Sequence, residues 1–366
     1  MKKGLAILYS PKTFVDFAWY YCTHGEDIQW DVICLQCDGN IKISDQCEKS
    51  GIFSHVYCDY TNYNKMDMRK KAMVFLELLI MAMIGKKKSI AQKKLEDIVG
   101  TFDYDIMVIG NDGMSLLSGL SCVLSKDVKT IILEDGITDY NSRTKKFQME
   151  LGLNFANLCS FIMAKLGYGN VRLGGATYYV ECNKYCHKYS THPEWMQYTN
   201  YKDIHKLNDF SYTNKELYRQ IMNKSYSLKE KYVADIFLFT TPIKDMDKKN
   251  EDKLVESTIQ YINDVIKPSS VLIKKHPRDL CDYSAINASV EYIDQNIPAE
   301  LLLNLVMTKE YIFMLPSTVM ISLNSLKLVN VLYYNLLKET YSDYQKIFFG
   351  LLNKIGLDND NVIYLD

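Results

Sequence analysis

Three short stretches place reactive side chains directly after an apolar run. In Ile131-Ile132-Leu133-Glu134-Asp135-Gly136 the run ends in two adjacent carboxylates, and the glycine frees the turn for close approach of a ligand. Such a pair offers one general base and one partner to orient it, although a solvated acidic turn has the same composition. In Val271-Leu272-Ile273-Lys274-Lys275-His276-Pro277-Arg278 the run meets a basic cluster. Pro277 keeps His276 out of helical geometry, so the imidazole is presented, and Lys274, Lys275, His276 and Arg278 make a positive field suited to phosphate. His192-Pro193 repeats the dipeptide but follows no apolar run, which marks it as structural. In Tyr311-Ile312-Phe313-Met314-Leu315-Pro316-Ser317-Thr318-Val319 two hydroxyl residues open an expected helix, where they either cap its N–H groups or hold an anion. Glu300, in Asn296-Ile297-Pro298-Ala299-Glu300, has by itself only the look of first-turn capping chemistry.

The elements that must position these groups follow from hydrophobic spacing. Apolar runs at 5–8, 32–35, 53–57, 106–109 and 130–133 read as strands, with helical stretches such as 12–21 and 73–84 between them. A second series begins near residue 231. It has strands at 235–239, 270–273, 311–315 and 328–333, and helices at 251–265, 299–306, 317–326 and 341–354. Alternating strands and helices imply an α/β fold of two doubly wound, Rossmann-like domains, with a ligand cleft at the carboxyl ends of their strands. The expected boundaries are 1–170 for the first domain, 171–230 for a Tyr-, Asn- and Lys-rich connecting region, and 231–366 for the second. Neither half carries G-x-G-x-x-G or a P-loop, which argues against dinucleotide oxidoreductases and phosphate-loop NTPases.

Composition narrows the class further. The 366 residues carry 43 Lys+Arg against 44 Asp+Glu, and this balance disfavours a nucleic-acid binder working through a globally basic surface. No run approaches the roughly 20 apolar residues of a membrane span, and the apolar stretch after Lys2-Lys3 is too short for a signal peptide, so a cytoplasmic location is expected. The ten cysteines, including Cys34-x-x-Cys37 and the Cys182, Cys186-His187 group, read as reduced and mostly buried thiols rather than a metal site.

Taken in order, Glu134-Asp135-Gly136, His276-Pro277 and Ser317-Thr318, with Ile297-Pro298-Ala299-Glu300 between the last two, resemble the D/E-D/E-G, His-Pro and Ser/Thr motifs of bacterial sialyltransferases and polysialyltransferases. That resemblance implies a GT-B fold and an inverting, metal-independent transfer of sialic acid from CMP-sialic acid to a glycan hydroxyl, in capsule or lipooligosaccharide synthesis. It implies no cofactor and no metal. Glu134 would be the general base, with Asp135 as the other candidate or its orienting partner. His276 would assist departure of the CMP phosphate, Ser317 and Thr318 would hold that phosphate, and Glu300 would take the ribose hydroxyls. Lys274 and Pro277 join this nucleotide side, and Asn111 and Asp112, in a turn after 106–109, are acceptor-side candidates or simple turn residues. Two alternatives stay open: a GT-B enzyme using CMP-Kdo or a UDP-sugar, and a non-catalytic glycan- or nucleotide-binding protein of the same fold. Asp103-Tyr104-Asp105, the nearest string to a metal-binding Asp-x-Asp, precedes a strand rather than following one.

Between Lys65 and Lys94 nine basic residues face two acidic ones and flank the apolar stretch 73–84. This is either a core helix with solvated lysines or an interfacial helix that touches the anionic inner face of the cell membrane, where a lipid-linked acceptor would grow.

Overall fold

Apolar runs without alternation belong to strands covered on both faces, and short polar strands belong at sheet edges. Both kinds are present in the computed structural model, which describes residues 1–35, 43–59, 61, 66–111, 115–134, 155–169, 171, 184–196, 201–207, 212–242, 249–303, 305–315, 317, 319–320, 328–335, 356 and 361–365. The chain divides into two units, Met1–Ser227 and Leu228–Asp366.

In the first unit the strands are β1 (Lys2–Leu8), β2 (Ile28–Leu35), β3 (Phe53–Asp59), β4 (Ile106–Ile109), β5 (Lys129–Leu133), β6 (His187–Ser190) and β7 (Asp203–Lys206). They form one sheet in the order β3-β2-β1-β4-β5-β6-β7, parallel at every pairing. The helices are α1 (Pro11–His24), α2 (Ser44–Ser50), α3 (Met68–Met83), α4 (Lys87–Val99), α5 (Leu116–Ser121), α6 (Phe155–Lys165) and α7 (Tyr212–Tyr226). Helix α1 starts where the sequence has Ser10-Pro11: Ser10 caps it reciprocally with Thr13, and Pro11 occupies the first turn, where no backbone donor is needed. Leu5, Ile7, Ile33, Met107, Ile109 and Ile132 meet Leu95, Leu117 and Leu120 in one core.

The stretch 171–230, expected to connect, instead supplies β6, β7 and α7 to this unit, and α7 packs on α1 and α2. Strands β6 and β7 read His-Lys-Tyr-Ser and Asp-Ile-His-Lys, with no apolar run to announce them. Parallel pairing of β6 with β5, and of β7 with β6, forms them in spite of their composition.

In the second unit β8 (Tyr232–Val233), β9 (Ile236–Phe239), β10 (Ser270–Lys274), β11 (Ser289–Ile293), β12 (Val306–Met307), β13 (Glu310–Phe313), β14 (Val329–Tyr334) and β15 (Val362–Leu365) accompany α8 (Glu251–Tyr261) and α9 (Ala299–Leu302). Six of these strands form a parallel sheet in the order β11-β10-β9-β13-β14-β15, and β8 pairs with β12. The helix expected over 299–306 is shorter, because Val306 turns into β12 against Tyr232. The helices expected at 341–354 and over most of 317–326 lie outside the described residues.

Central β1 packs against a fully buried indole. A Cβ on Gly4 would sit 2.4 Å from the Trp30 ring, which cannot retreat: Phe17 meets it edge-on at 5.1 Å, and its Nε1 donates to Gly25 O at 2.9 Å. Gly4→Ala is therefore expected to destabilise the first unit by about 1–3 kcal/mol. Thermal denaturation of the variant should show a melting temperature lower by about 2–12 °C; an unchanged value would mean that the indole is not tightly held.

Candidate active site

In each sheet the order of strands reverses beside the strand made first, β1 against β4 and β9 against β13, and such reversals open a crevice at the strands' carboxyl ends. Glu134 stands there at the end of β5, next to β4 and β6, and is buried. Its carboxylate is held across the sheet. Ser190 Oγ donates to Oε2 at 3.0 Å, the Thr191 N–H donates to Oε2 at 2.6 Å, and Lys12 Nζ of α1 lies 3.7 Å from Oε1. Lys12 also pairs with Asp16 at 2.6 Å. The backbone beneath is pinned as well, because the buried Lys188 ammonium donates to Leu133 O at 2.8 Å.

Asn111 is buried at the same edge, following β4, while Asp135 and Asp112 lie outside the described residues. His192-Pro193, expected in an irregular connection, in fact follows β6 at this edge. The His192 N–H donates to Ser190 Oγ at 3.3 Å, and the His192 ring stacks on Trp195 at 3.8 Å. Its loop therefore carries the groups that hold Glu134. A linear reading does not reach Lys188, Ser190 and Thr191, whose relation to Glu134 exists only once β6 pairs with β5, or Lys12, which α1 brings to the end of β5.

A second set forms at the carboxyl edge of the other sheet. His276 leaves β10 with its N–H donating to Thr240 Oγ1, at the end of β9, at 3.1 Å. Its Nδ1 accepts the Arg278 N–H at 3.2 Å, which leaves the proton of the neutral ring on Nε2. The loop is built on Asp279, only 1% exposed: its carboxylate takes the Thr240 hydroxyl, the Tyr283 hydroxyl at 3.1 Å and the Cys281 N–H at 3.0 Å. Burial and the Asp279 charge push the Tyr283 phenol far above its usual range, so it remains a donor. Asp279 was not singled out from sequence, although a carboxylate two residues after His-Pro is a signal that a loop-anchoring reading could have used.

Lys274 is buried. It donates to Lys275 O at 3.2 Å and Gln295 O at 3.0 Å, and burial pulls its ammonium down to about 8, against the raising effect of Glu300 and Asp294. It ties the His-Pro loop to the segment that leads into α9, where Glu300 is half-buried in the first turn. Lys275 does not join the positive field: its ammonium turns to Cys281 O at 2.6 Å. Pro277 is half-buried and Arg278 exposed. Ser317 follows β13, with its hydroxyl accepting the Val319 N–H at 3.4 Å, and Thr318 lies outside the described residues. Asp103 pairs with Lys3, and Asp105 accepts the Lys3 N–H at 2.9 Å, which gives the Asp-x-Asp string a structural occupation.

Two parallel doubly wound sheets, one with a held carboxylate and one with a pinned histidine at its carboxyl edge, are the components of a GT-B fold. The profile of glycosyltransferase family 52 matches residues 88–340, and the chain belongs to that family. It is similar over its whole length to the whole GT-B domain of a sialyltransferase from Photobacterium damselae, with a TM-score of 0.53 at 12% identity. A longer form of a sialyltransferase from that organism gives 0.47 at 11%, covering all of this chain and 82% of the other. A UDP-GlcNAc 2-epimerase from Neisseria meningitidis gives 0.45 at 11%, covering 96% and 91%. No curated protein matches the sequence. The expected fold and a glycosyltransferase activity are thus met.

Removing one donor from a buried, charged acceptor costs about 1–3 kcal/mol. Ser190→Ala is expected to lower stability by that amount and to reduce turnover at least about tenfold, as a misdirected carboxylate loses its alignment. Urea denaturation and initial rates check this; a variant with wild-type rates would remove Ser190 from the positioning of Glu134.

Proposed function

We propose that this glycosyltransferase is an inverting, metal-independent sialyltransferase, moving sialic acid from CMP-sialic acid to a glycan hydroxyl in capsule or lipooligosaccharide synthesis. Glu134 takes the proton of the acceptor hydroxyl, with Asp135 beside it as orienting partner or alternative base. The acceptor oxygen attacks the anomeric carbon from the face opposite the phosphate, the bond to the CMP oxygen breaks, and the anomeric configuration inverts. His276 donates through Nε2 to the departing phosphate. Ser317 and Thr318 hold that phosphate, and Glu300 takes the ribose hydroxyls. Lys274 and Pro277 shape the loop that carries His276, and Asn111 and Asp112 lie toward the acceptor. The observation that carries this reading is the pinned His276 imidazole, whose acceptor nitrogen is already occupied by the Arg278 N–H. A ring held this way donates from Nε2, and one such donor can serve a monophosphate leaving group without a divalent ion.

Titration calorimetry with CMP, UDP and GDP tests the donor: CMP is expected to bind, and binding of UDP instead would move the enzyme to the UDP-sugar alternative. Glu134→Gln should retain CMP affinity while losing about 10²–10⁴ in turnover, and His276→Ala should lose a similar factor. Full activity of either variant would overturn the assignment of its residue.

We further infer a peripheral contact with an anionic membrane through α3. Helix α3 lays Val74, Phe75, Leu78 and Leu79 on the core, so the core-helix alternative accounts for one face. Its other face exposes Met73 (71%), Leu76 (55%), Ile80 (47%) and Met83 (76%), with Ile84 (56%) following the helix. Arg69, Lys70 and Lys86 are exposed at its two ends. Glu77 borders this face and is paired with Lys94 at 3.2 Å, and the apolar stripe beside it, between cationic ends, matches an acyl layer beneath anionic headgroups. No helix among the described residues is long and apolar enough to cross a membrane. The protein should sediment with anionic vesicles at low salt and be released near 0.5 M salt, where screening falls to a few ångströms. Met73→Ser with Met83→Ser should abolish binding while sparing transfer to a soluble acceptor. Recovery in the supernatant at low salt would refute the contact, and a dimer lost in the same variant would assign the stripe to a second copy.

A further inference from the structure

Strands β6 and β7 run parallel with His187 opposite Asp203 and Tyr189 opposite His205, so these four residues share one face of the sheet. Ser190, which holds Glu134, points to the other face. On the shared face His187 Nδ1 lies 2.7 Å from Asp203 Oδ1, and His205 Nε2 lies 2.9 Å from the same oxygen. One ligating atom from each of the three residues lies within 4.8 Å of the other two.

We propose that His187, Asp203 and His205 form a site for one divalent first-row metal ion, with Zn²⁺ as its representative, that clips edge strand β7 to β6. Two imidazoles and a carboxylate are a donor set that such ions take, and their bonds of about 2.0–2.2 Å put ligand atoms a little over 3 Å apart. The two nitrogen–oxygen separations are already close to that. The rings are also held. His205 packs on Tyr189 at 4.9 Å, and Tyr189 in turn meets Tyr20 edge-on at 5.3 Å and His24 at 5.5 Å. His187 and Asp203 are half-buried and His205 is exposed, which leaves room for water at the remaining coordination positions. The clip has a structural purpose, because β7 is the last strand of its sheet and pairs over only four residues. Fixing β6 also steadies the strand from which Ser190 and Thr191 reach Glu134.

The test is calorimetric titration of the EDTA-stripped, full-length protein with ZnCl₂, repeated with Co²⁺ to read the ligand type from its absorption. The wild type is expected to bind one equivalent, to gain in melting temperature, and to give a Co²⁺ spectrum of nitrogen and oxygen ligation without thiolate charge transfer. Loss of a second-shell partner alone weakens metal sites about 10–100-fold, so His205→Ala and His187→Ala should each weaken binding by at least that factor. His205 is exposed on an edge strand, so its variant remains informative even if His187→Ala fails to fold. No saturable binding, binding that survives His205→Ala, or a thiolate band would overturn the proposal. Transfer measured in excess EDTA bears on the catalytic reading separately: the site lies outside the proposed reaction, so activity should persist when the metal is removed.

Discussion

Because each strand of the two large sheets runs parallel to its neighbours, every strand in a sheet leaves at the same edge, and parallel neighbours must be separated by a crossover. That constraint collects residues from remote parts of the chain. Glu134 meets Ser190 and Thr191 only because β5 and β6 are adjacent and parallel, although more than fifty residues lie between them. His276 meets Thr240 by the same rule in the other unit. The surroundings of Glu134 and His276 are thus set by sheet order before they are set by any motif.

The second shared feature is the use of buried ionisable groups as loop anchors. A charge taken out of water costs several kcal/mol unless donors or acceptors surround it. Glu134, Lys188, Lys274 and Asp279 are all at most 5% exposed, and each spans two segments. Breaking one partner leaves a buried charge uncompensated, so the loops have few alternative arrangements of comparable energy. Rigid strand ends are what catalysis by positioning requires.

Much of this was legible in the residues. The apolar runs around Leu5, Val108, Ile132, Leu238 and Ile273 announce central strands, since a strand covered on both faces must be apolar throughout. Lys188 and Ser190 defeat the same logic: they are polar and yet buried, because their partners are a carbonyl and a carboxylate from another strand. A linear pattern cannot register such a partner, so 171–230 reads as a connection and His192 as remote from Glu134. Helix α3 shows the converse limit. Its hydrophobic content was plain, but which of two apolar faces met the core depended on where Tyr168 and α4 lie, with the Tyr168 hydroxyl donating to Leu78 O at 2.7 Å.

The central position of β1 has a consequence for how the chain is made. Residues 2–8 are synthesised well before one of the two neighbours of β1, the strand β4, which ends at Ile109. At about 5–20 residues per second, the roughly one hundred intervening residues take about 5–20 s to synthesise. For that interval the central strand, with Leu5–Leu8 all buried in the folded unit, has one hydrogen-bonding edge without its native partner. The nascent chain is then a template for mispairing with other chains, and its yield in a cell depends on what shelters that edge until β4 emerges.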